Sequence, residues 1–171
     1  SYEGEFKHDK KHGKGTLTGP NSIRVTGIFR DGNLEKGKIT SANGVTSYDG
    51  EFVNHKIFGN GTTTYPNGDK FIRKIVKYEN GKAMGRGVKT FANGDVYSGE
   101  VVGNERHGKG KHTFSDGRIL DGVWKNNKFD YYRTGLDAYR KGNYATTLRL
   151  WTPLAEKGDV QAQSDLGVMY Y

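Results

Sequence analysis

From Ser1 to Phe129, apolar and aromatic positions alternate with polar ones, and the alternation breaks at regular intervals. The clearest unit is DVYSGEVVGNERHGKGKHTFSDG, Asp95–Gly117. Tyr97, Gly99 and Val101 alternate, a polar turn follows, then Gly108 and Gly110, and an Asp-Gly turn closes the unit. Period-two alternation predicts strands with residues i and i+2 on one face. Two such runs per unit predict a hairpin. Aligning the glycine after the aromatic gives Gly4, Gly27, Gly50, position 73, Gly99 and Gly122, spaced 23, 23, 23, 26 and 23 residues apart. Between units lie Pro20–Ser22, Ala42–Gly44, Pro66–Gly68, Ala92–Gly94 and Ser115–Gly117. Asn-Gly and Asp-Gly there supply the positive φ of tight hairpin turns. Consecutive hairpins joined this way predict a long antiparallel meander.

The glycines keep one phase within the strands. A strand glycine weakens a sheet unless something approaches it closely, so aromatic rings are expected to lie over neighbouring glycines. Two units depart from the pattern. LEKGK (Leu34–Lys38) keeps only Gly37 of the Gly-x-Gly pair. FIRKI (Phe71–Ile75) places Arg73 at the glycine position, with three extra residues around Val76–Met84. A local bend or an altered groove is expected there.

At Asp130 the period changes. Tyr144, Leu148, Trp151 and Leu154/Ala155 form one helical stripe. Asn143 and Asp159 are good N-caps, and Gly142 and Gly158 suit helix ends. Three helices are expected, at about Tyr131–Lys141, Tyr144–Lys157 and Val160–Tyr171, with Pro153 a source of a kink.

YEGEF…HGKG, YDGEF…FGNG and YSGEV…HGKG resemble MORN (membrane occupation and recognition nexus) repeats. The likeness covers residues 1–129, about five and a half repeats ending in LDGVW (Leu120–Trp124). It implies an elongated twisted antiparallel sheet of stacked hairpins. Residues 130–171 resemble a Sel-like repeat, a relative of the tetratricopeptide repeat. Gly135, Ala138, Ala155, Ala162 and Gly167 match that family's small residues at close helix approaches. The fold class expected is mainly β with an α tail. The tail reads as a truncated helical repeat, or as a cap on the open edge of the sheet.

Composition narrows the classes. Only 33% of residues are hydrophobic and 26 are Gly, so no large core is available. The net charge of +8 lies wholly in residues 1–129, where 22 Lys/Arg face 14 Asp/Glu (22 − 14 = +8). That excess favours anionic partners. Cysteine is absent, which removes disulfides and thiolate metal sites. No apolar run approaches the ~18 residues of a transmembrane helix. The chain begins without Met and reads as a mature or truncated piece. A cytoplasmic location fits, as does a bacterial periplasmic one if a signal peptide has been removed.

Catalytic chemistry is not expected. There is no Cys, no G-x-S-x-G and no phosphate-binding loop. His8 and His12 lie in one turn without a third ligand type nearby, so no metal or cofactor is expected. His12 and His107 share one repeat position, which points to a structural role. Glu5, Glu51 and Glu100 each follow a motif glycine and suggest a ladder of surface charge paired with Lys.

Candidate partner-binding residues are Tyr48, Phe52, Tyr65, Arg73, Tyr97 and Trp124. Candidate anion-binding residues are Lys7, Lys10, Lys11, Lys14, Lys74, Lys77, Arg86, Arg106, Lys109 and Lys111, which stacked hairpins would gather into a basic rim. A protein partner is expected first, since both resembled families imply protein interaction. Anionic phospholipid comes next, then a toxic effector enzyme neutralised by a bacterial immunity-type protein. Nucleic acid ranks below these.

Overall fold

The computed structural model describes residues 1–42 and 46–170. Twelve strands follow one another in a single sheet in sequence order. They are β1 (Tyr2–Lys7), β2 (Lys10–Thr18), β3 (Arg24–Arg30), β4 (Asn33–Thr40), β5 (Ser47–Val53), β6 (Lys56–Thr64), β7 (Lys70–Glu79), β8 (Lys82–Thr90), β9 (Val96–Val102), β10 (Glu105–Thr113), β11 (Ile119–Lys125) and β12 (Lys128–Phe129). Three helices follow: α1 (Tyr131–Arg140), α2 (Tyr144–Glu156) and α3 (Val160–Met169). The sheet is an open antiparallel meander, as the alternation predicts.

The register explains the glycine phase. Gly4, Gly15, Gly27, Gly37, Gly50, Gly61, Arg73, Gly87, Gly99, Gly110 and Gly122 are successive cross-strand partners. One glycine row thus crosses the sheet, interrupted only by Arg73. Tyrosine rings lie across it. A Cβ at Gly15, Gly61 or Gly110 would come 2.5 Å from a ring carbon of Tyr2, Tyr48 or Tyr97 respectively. The hydroxyl of each ring donates to a backbone carbonyl, that of Glu5, Glu51 and Glu100. A one-sheet protein obtains a core this way: the side chains fold flat onto their own backbone.

Turn chemistry differs from the expectation in one respect. Two-residue turns with positive φ throughout lie within the units, at His8–Asp9, Asp31–Gly32, Asn54–His55 and Asn80–Gly81, and between β11 and β12 at Asn126–Asn127; the Pro20–Ser22 joint also has positive φ at both Asn21 and Ser22. The joints at Pro66–Gly68 and Ala92–Gly94 are wider. There the Asn67 and Asn93 side chains accept the amides of Asp69 and Asp95, and only the glycine has positive φ. The expected turn at Ala42–Gly44 lies largely outside the described residues.

The irregular units are accommodated locally. A bulge at Glu35 keeps Gly37 in the row, and Glu35 pairs with Arg30 at 3.0 Å. The extra residues of the fourth unit lengthen β7 and leave Val76 in a bulge. Tyr78 there folds back to donate to the Ile57 carbonyl at 2.7 Å.

The helices cap the last edge. Asp130 N–H donates to the Val123 carbonyl, and Val123 N–H donates to Thr134 Oγ1 at 2.9 Å. Edge groups that would invite another strand are thus bonded to α1. Asp130, Asn143 and Asp159 are the N-caps. Helix α2 runs through Pro153 to Glu156. Trp151 is buried, stacks on Tyr132 and donates to its carbonyl at 2.9 Å. Gly135 sits under that indole, whereas Gly167 has open space beside it and is no helix contact. Tyr171 lies outside the described residues.

Candidate functional site

The two faces of the sheet are built differently, because residues one apart point to opposite sides. One face carries the glycine row and its rings. Its apolar residues fall into two buried clusters. The first holds Phe29, Leu34, Tyr48 and Phe52; the second holds Phe71, Tyr97, Val101 and Trp124. Arg73 stands two residues after Phe71 on β7, beside the second cluster.

Of the expected partner-binding residues, Tyr48, Phe52, Arg73, Tyr97 and Trp124 are 8, 6, 8, 0 and 3% exposed. They are packed into the sheet's own layer. Tyr65 is half-buried beneath Lys89, whose Nζ lies 5.2 Å from its ring and 4.7 Å from that of Phe91. Arg106 covers Trp124 at 4.4 Å, and Lys11 lies over Tyr2 and Phe29. Cations thus close over the rings. Burial pushes the Tyr97 hydroxyl up to about 12 and raises Tyr48 as well. Burial lowers Arg106.

Arg73 fills the space that glycine leaves elsewhere. Its guanidinium lies over Phe71 and donates to Gly103 O at 2.8 Å and Asn104 Oδ1 at 2.9 Å. The side chain ties β7 to the β9–β10 turn across the second cluster.

Sequence reasoning missed a stitch from each joint to the next. Asp69 accepts the Ala92 amide at 3.0 Å and pairs with Lys89 at 3.3 Å. One repeat on, Asp95 accepts the Ser115 amide at 2.9 Å and the His112 ring at 3.2 Å. An arginine can only donate, so Arg106 at 3.1 Å fixes His112 Nδ1 as acceptor and its Nε2–H as donor to Asp95. The Ser115 amide, ahead of the His112 ring, holds the Asp95 carboxyl below its ordinary range. The available signal was the recurrence of Asn-Gly-Asp at 67–69 and 93–95.

The repeated glutamates are not a simple charge ladder. Glu5 accepts the Lys14 amide at 2.9 Å and Glu51 the Asn60 amide at 3.1 Å. Each caps the bulge formed by a positive-φ glycine, Gly13 or Gly59. Glu100 stands at the equivalent place beside Gly108 and pairs with Arg86 at 3.1 Å.

The opposite face lies open. One cross-strand row reads Glu3, Thr16, Thr26, Lys38, Asp49, Thr62, Ile72, Val88, Ser98, Lys111 and Asp121. Ile72 and Val88, directly opposed, are 53 and 40% exposed. They lie in a shallow groove of about 340 Å³ spanning β6 to β9, with Lys74 and Arg86 among its walls.

The expected basic residues do not form one rim. Lys7, Lys10 and Lys11 are at the β1–β2 hairpin end, and Lys77 and Arg106 are at equivalent ends. Lys14, Lys74, Arg86, Lys109 and Lys111 stand on strands, on the open face. Lys77 is paired with Glu79, and Lys109 lies 3.7 Å from Asp137.

Among the further hollows of the described residues are two that involve the helices. One of about 480 Å³ lies between β10–β11 and α1–α2, with Lys109, Asp121, Asp137 and Lys141 on its walls. The other, about 380 Å³, is bounded by Tyr139, Tyr144, Leu148, Val168, Met169 and Tyr170. Among the described residues no group of three His, Asp or Glu side chains gathers as a metal site requires. No helix among them is long and apolar enough to cross a membrane.

The repeat is recognisable beyond this chain. The family model of the MORN repeat matches residues 2–24, 48–70, 77–96 and 97–117. Residues 25–47, where Glu35 replaces a motif glycine, fall outside the matches. No curated protein matches the chain.

Proposed function

The chain belongs to the MORN repeat family, and on that premise we propose that it is a non-enzymatic scaffold that binds another protein through the open face of its sheet. The asymmetry of the two faces carries this reading. Rings, glycines and covering cations fill one side, while Ile72 and Val88 stand exposed on the other. The binding residues are then Ile72, Lys74, Arg86 and Val88, with Tyr48, Tyr97 and Trp124 supporting the sheet that presents them. Helices α1–α3, read as a Sel-like repeat, extend the scaffold and offer Tyr144 and Val168 as a second apolar surface. Neutralising a toxic enzyme, as an immunity-type protein does, is one form such binding could take.

The test is affinity capture from the native source with the wild-type chain and with I72S/V88S. Loss of specific partners in the folded variant is the expected result. Unchanged capture by that variant and by open-face charge reversals overturns the reading.

A second reading, binding to anionic phospholipid, draws on Lys7, Lys10 and Lys14 at one end of the sheet, all exposed. Near such a surface each Lys or Arg gains about 1 kcal/mol. Sedimentation with phosphatidylserine vesicles at low and high salt tests it. Absence of binding at low salt removes it.

A further inference from the structure

Resting on the open-face reading, we infer that the groove over β7 and β8 takes an extended acidic segment that carries aliphatic side chains. The groove is unlike the rest of its row. At the same register the other strands present Thr16, Thr26, Lys38, Asp49, Thr62 and Ser98. Only β7 and β8 place two aliphatics opposite each other there, and both are exposed. Their exposure contrasts with the buried rings behind.

Charge sets the class of occupant. Lys74 and Arg86 are the next cross-strand pair, and Lys70 lies two residues before Ile72 on the same face. All three are exposed. The one carboxylate at this place is Glu100, on Arg86. Aliphatic contacts ringed by cations are complementary to aliphatic side chains flanked by carboxylates. A second copy laid face to face would set Lys74 and Arg86 against their own kind. Single-stranded nucleic acid needs successive rings on which bases stack; the buried rings of this sheet belong to the other face, and Phe58, paired with Glu51 at the edge of the open face, is a single ring that offers no such stack.

Length sets the extent. The groove runs from Asn60 on β6 to Ser98 on β9. Three interstrand spacings of ~4.8 Å give about 15 Å, which four or five extended residues cover at ~3.4 Å each.

The probe is a fluorescein-labelled peptide, Glu-Glu-Ile-Val-Glu-Glu, titrated with the full chain by anisotropy. Lys-Lys-Ile-Val-Lys-Lys, Glu-Glu-Ser-Thr-Glu-Glu and phosphatidylserine vesicles are the other arms. The acidic aliphatic peptide is expected to bind best. Its Kd should rise roughly tenfold or more with K74E/R86E and at least about threefold with I72S/V88S, and increase with salt. Lys157→Ser, exposed at the end of α2, should leave it unchanged. Circular dichroism of each variant confirms the fold.

Absence of binding at about 1 mM peptide, a Kd above any weak specific contact, overturns the inference. So does binding that the two double variants leave unchanged. Binding of the basic peptide instead, lost with I72S/V88S, overturns the inference and leaves the open-face reading standing. Vesicle binding without peptide binding overturns it in favour of a lipid surface. Partner capture from the native source that no open-face substitution affects overturns the underlying reading.

Discussion

Gly110→Ala tests the packing on which the sheet depends. The new Cβ would stand 2.5 Å from Tyr97 Cζ, where carbon atoms need ~3.5–4.0 Å. Tyr97 has no exposed surface and lies edge-on to Trp124, with ring centroids 5.5 Å apart. The ring must therefore tilt off the row by about 1 Å, and overpacking of that kind costs about 1–3 kcal/mol. Tilting breaks the 2.7 Å bond from its hydroxyl to the Glu100 carbonyl, worth about 1 kcal/mol. It also degrades the ring–ring contact, worth ~0.5–1 kcal/mol. Together the loss is about 2.5–5 kcal/mol. Gly117→Ala is the control: its φ is +88° and nothing lies within 4 Å of an added Cβ, so only left-handed strain of about 1–2 kcal/mol applies. Urea unfolding followed by Trp124 fluorescence, in a Trp151→Phe background, measures both. A loss at Gly110 below about 1 kcal/mol, or no larger than at Gly117, refutes the ring-over-glycine account.

Three further outcomes follow from the same structure. Arg73→Gly restores the repeat consensus yet should destabilise by about 2–3 kcal/mol, because two charge-assisted bonds to the β9–β10 turn disappear; equal or greater stability in urea would contradict this. Thr134→Ala leaves the Val123 amide unpaired at the sheet edge and should cost about 1–2 kcal/mol while promoting association through that edge, seen by light scattering. Tyr97, pushed up to about 12 in the fold, is a stabilising group whose effect is complete below its unfolded value of about 10 and is lost as pH rises towards 12; stability should fall across that window, less steeply in Tyr97→Phe.

Most of the architecture was legible because two periods are written into the chain. Alternation gave the strands, and the 23-residue spacing gave the hairpins. Glycine phase pointed to ring packing, since Tyr2, Tyr48 and Tyr97 recur at one offset from it. Helix ends were legible from Asn143, Asp159 and the glycines before them. The partner site was harder. Aromatics such as Tyr48 and Tyr97 look like recognition residues in a sequence. Whether such rings are free depends on the side chains packed over them, as Lys11 is over Tyr2, Lys89 over Tyr65 and Arg106 over Trp124. The basic residues divide by strand parity: Lys14, Lys74 and Lys109 stand one place from the glycine row and so face away from it. Parity could have been read from the sequence. The bulges at Gly13, Gly59 and Gly108, which shift parity at the hairpin ends, could not. The pairing of Asp95 with His112 spans the β9–β10 hairpin and depends on that same register.

The central claim is that the open face meets the partner and the ring face does not. Site-specific photo-crosslinking tests it most directly, with benzoylphenylalanine placed at Thr62 on the open face or at Tyr65 on the ring face of the full chain. In extracts of the native source, partner adducts should form from Thr62 and not from Tyr65. Adducts from Tyr65 alone would place binding on the ring face and contradict the account.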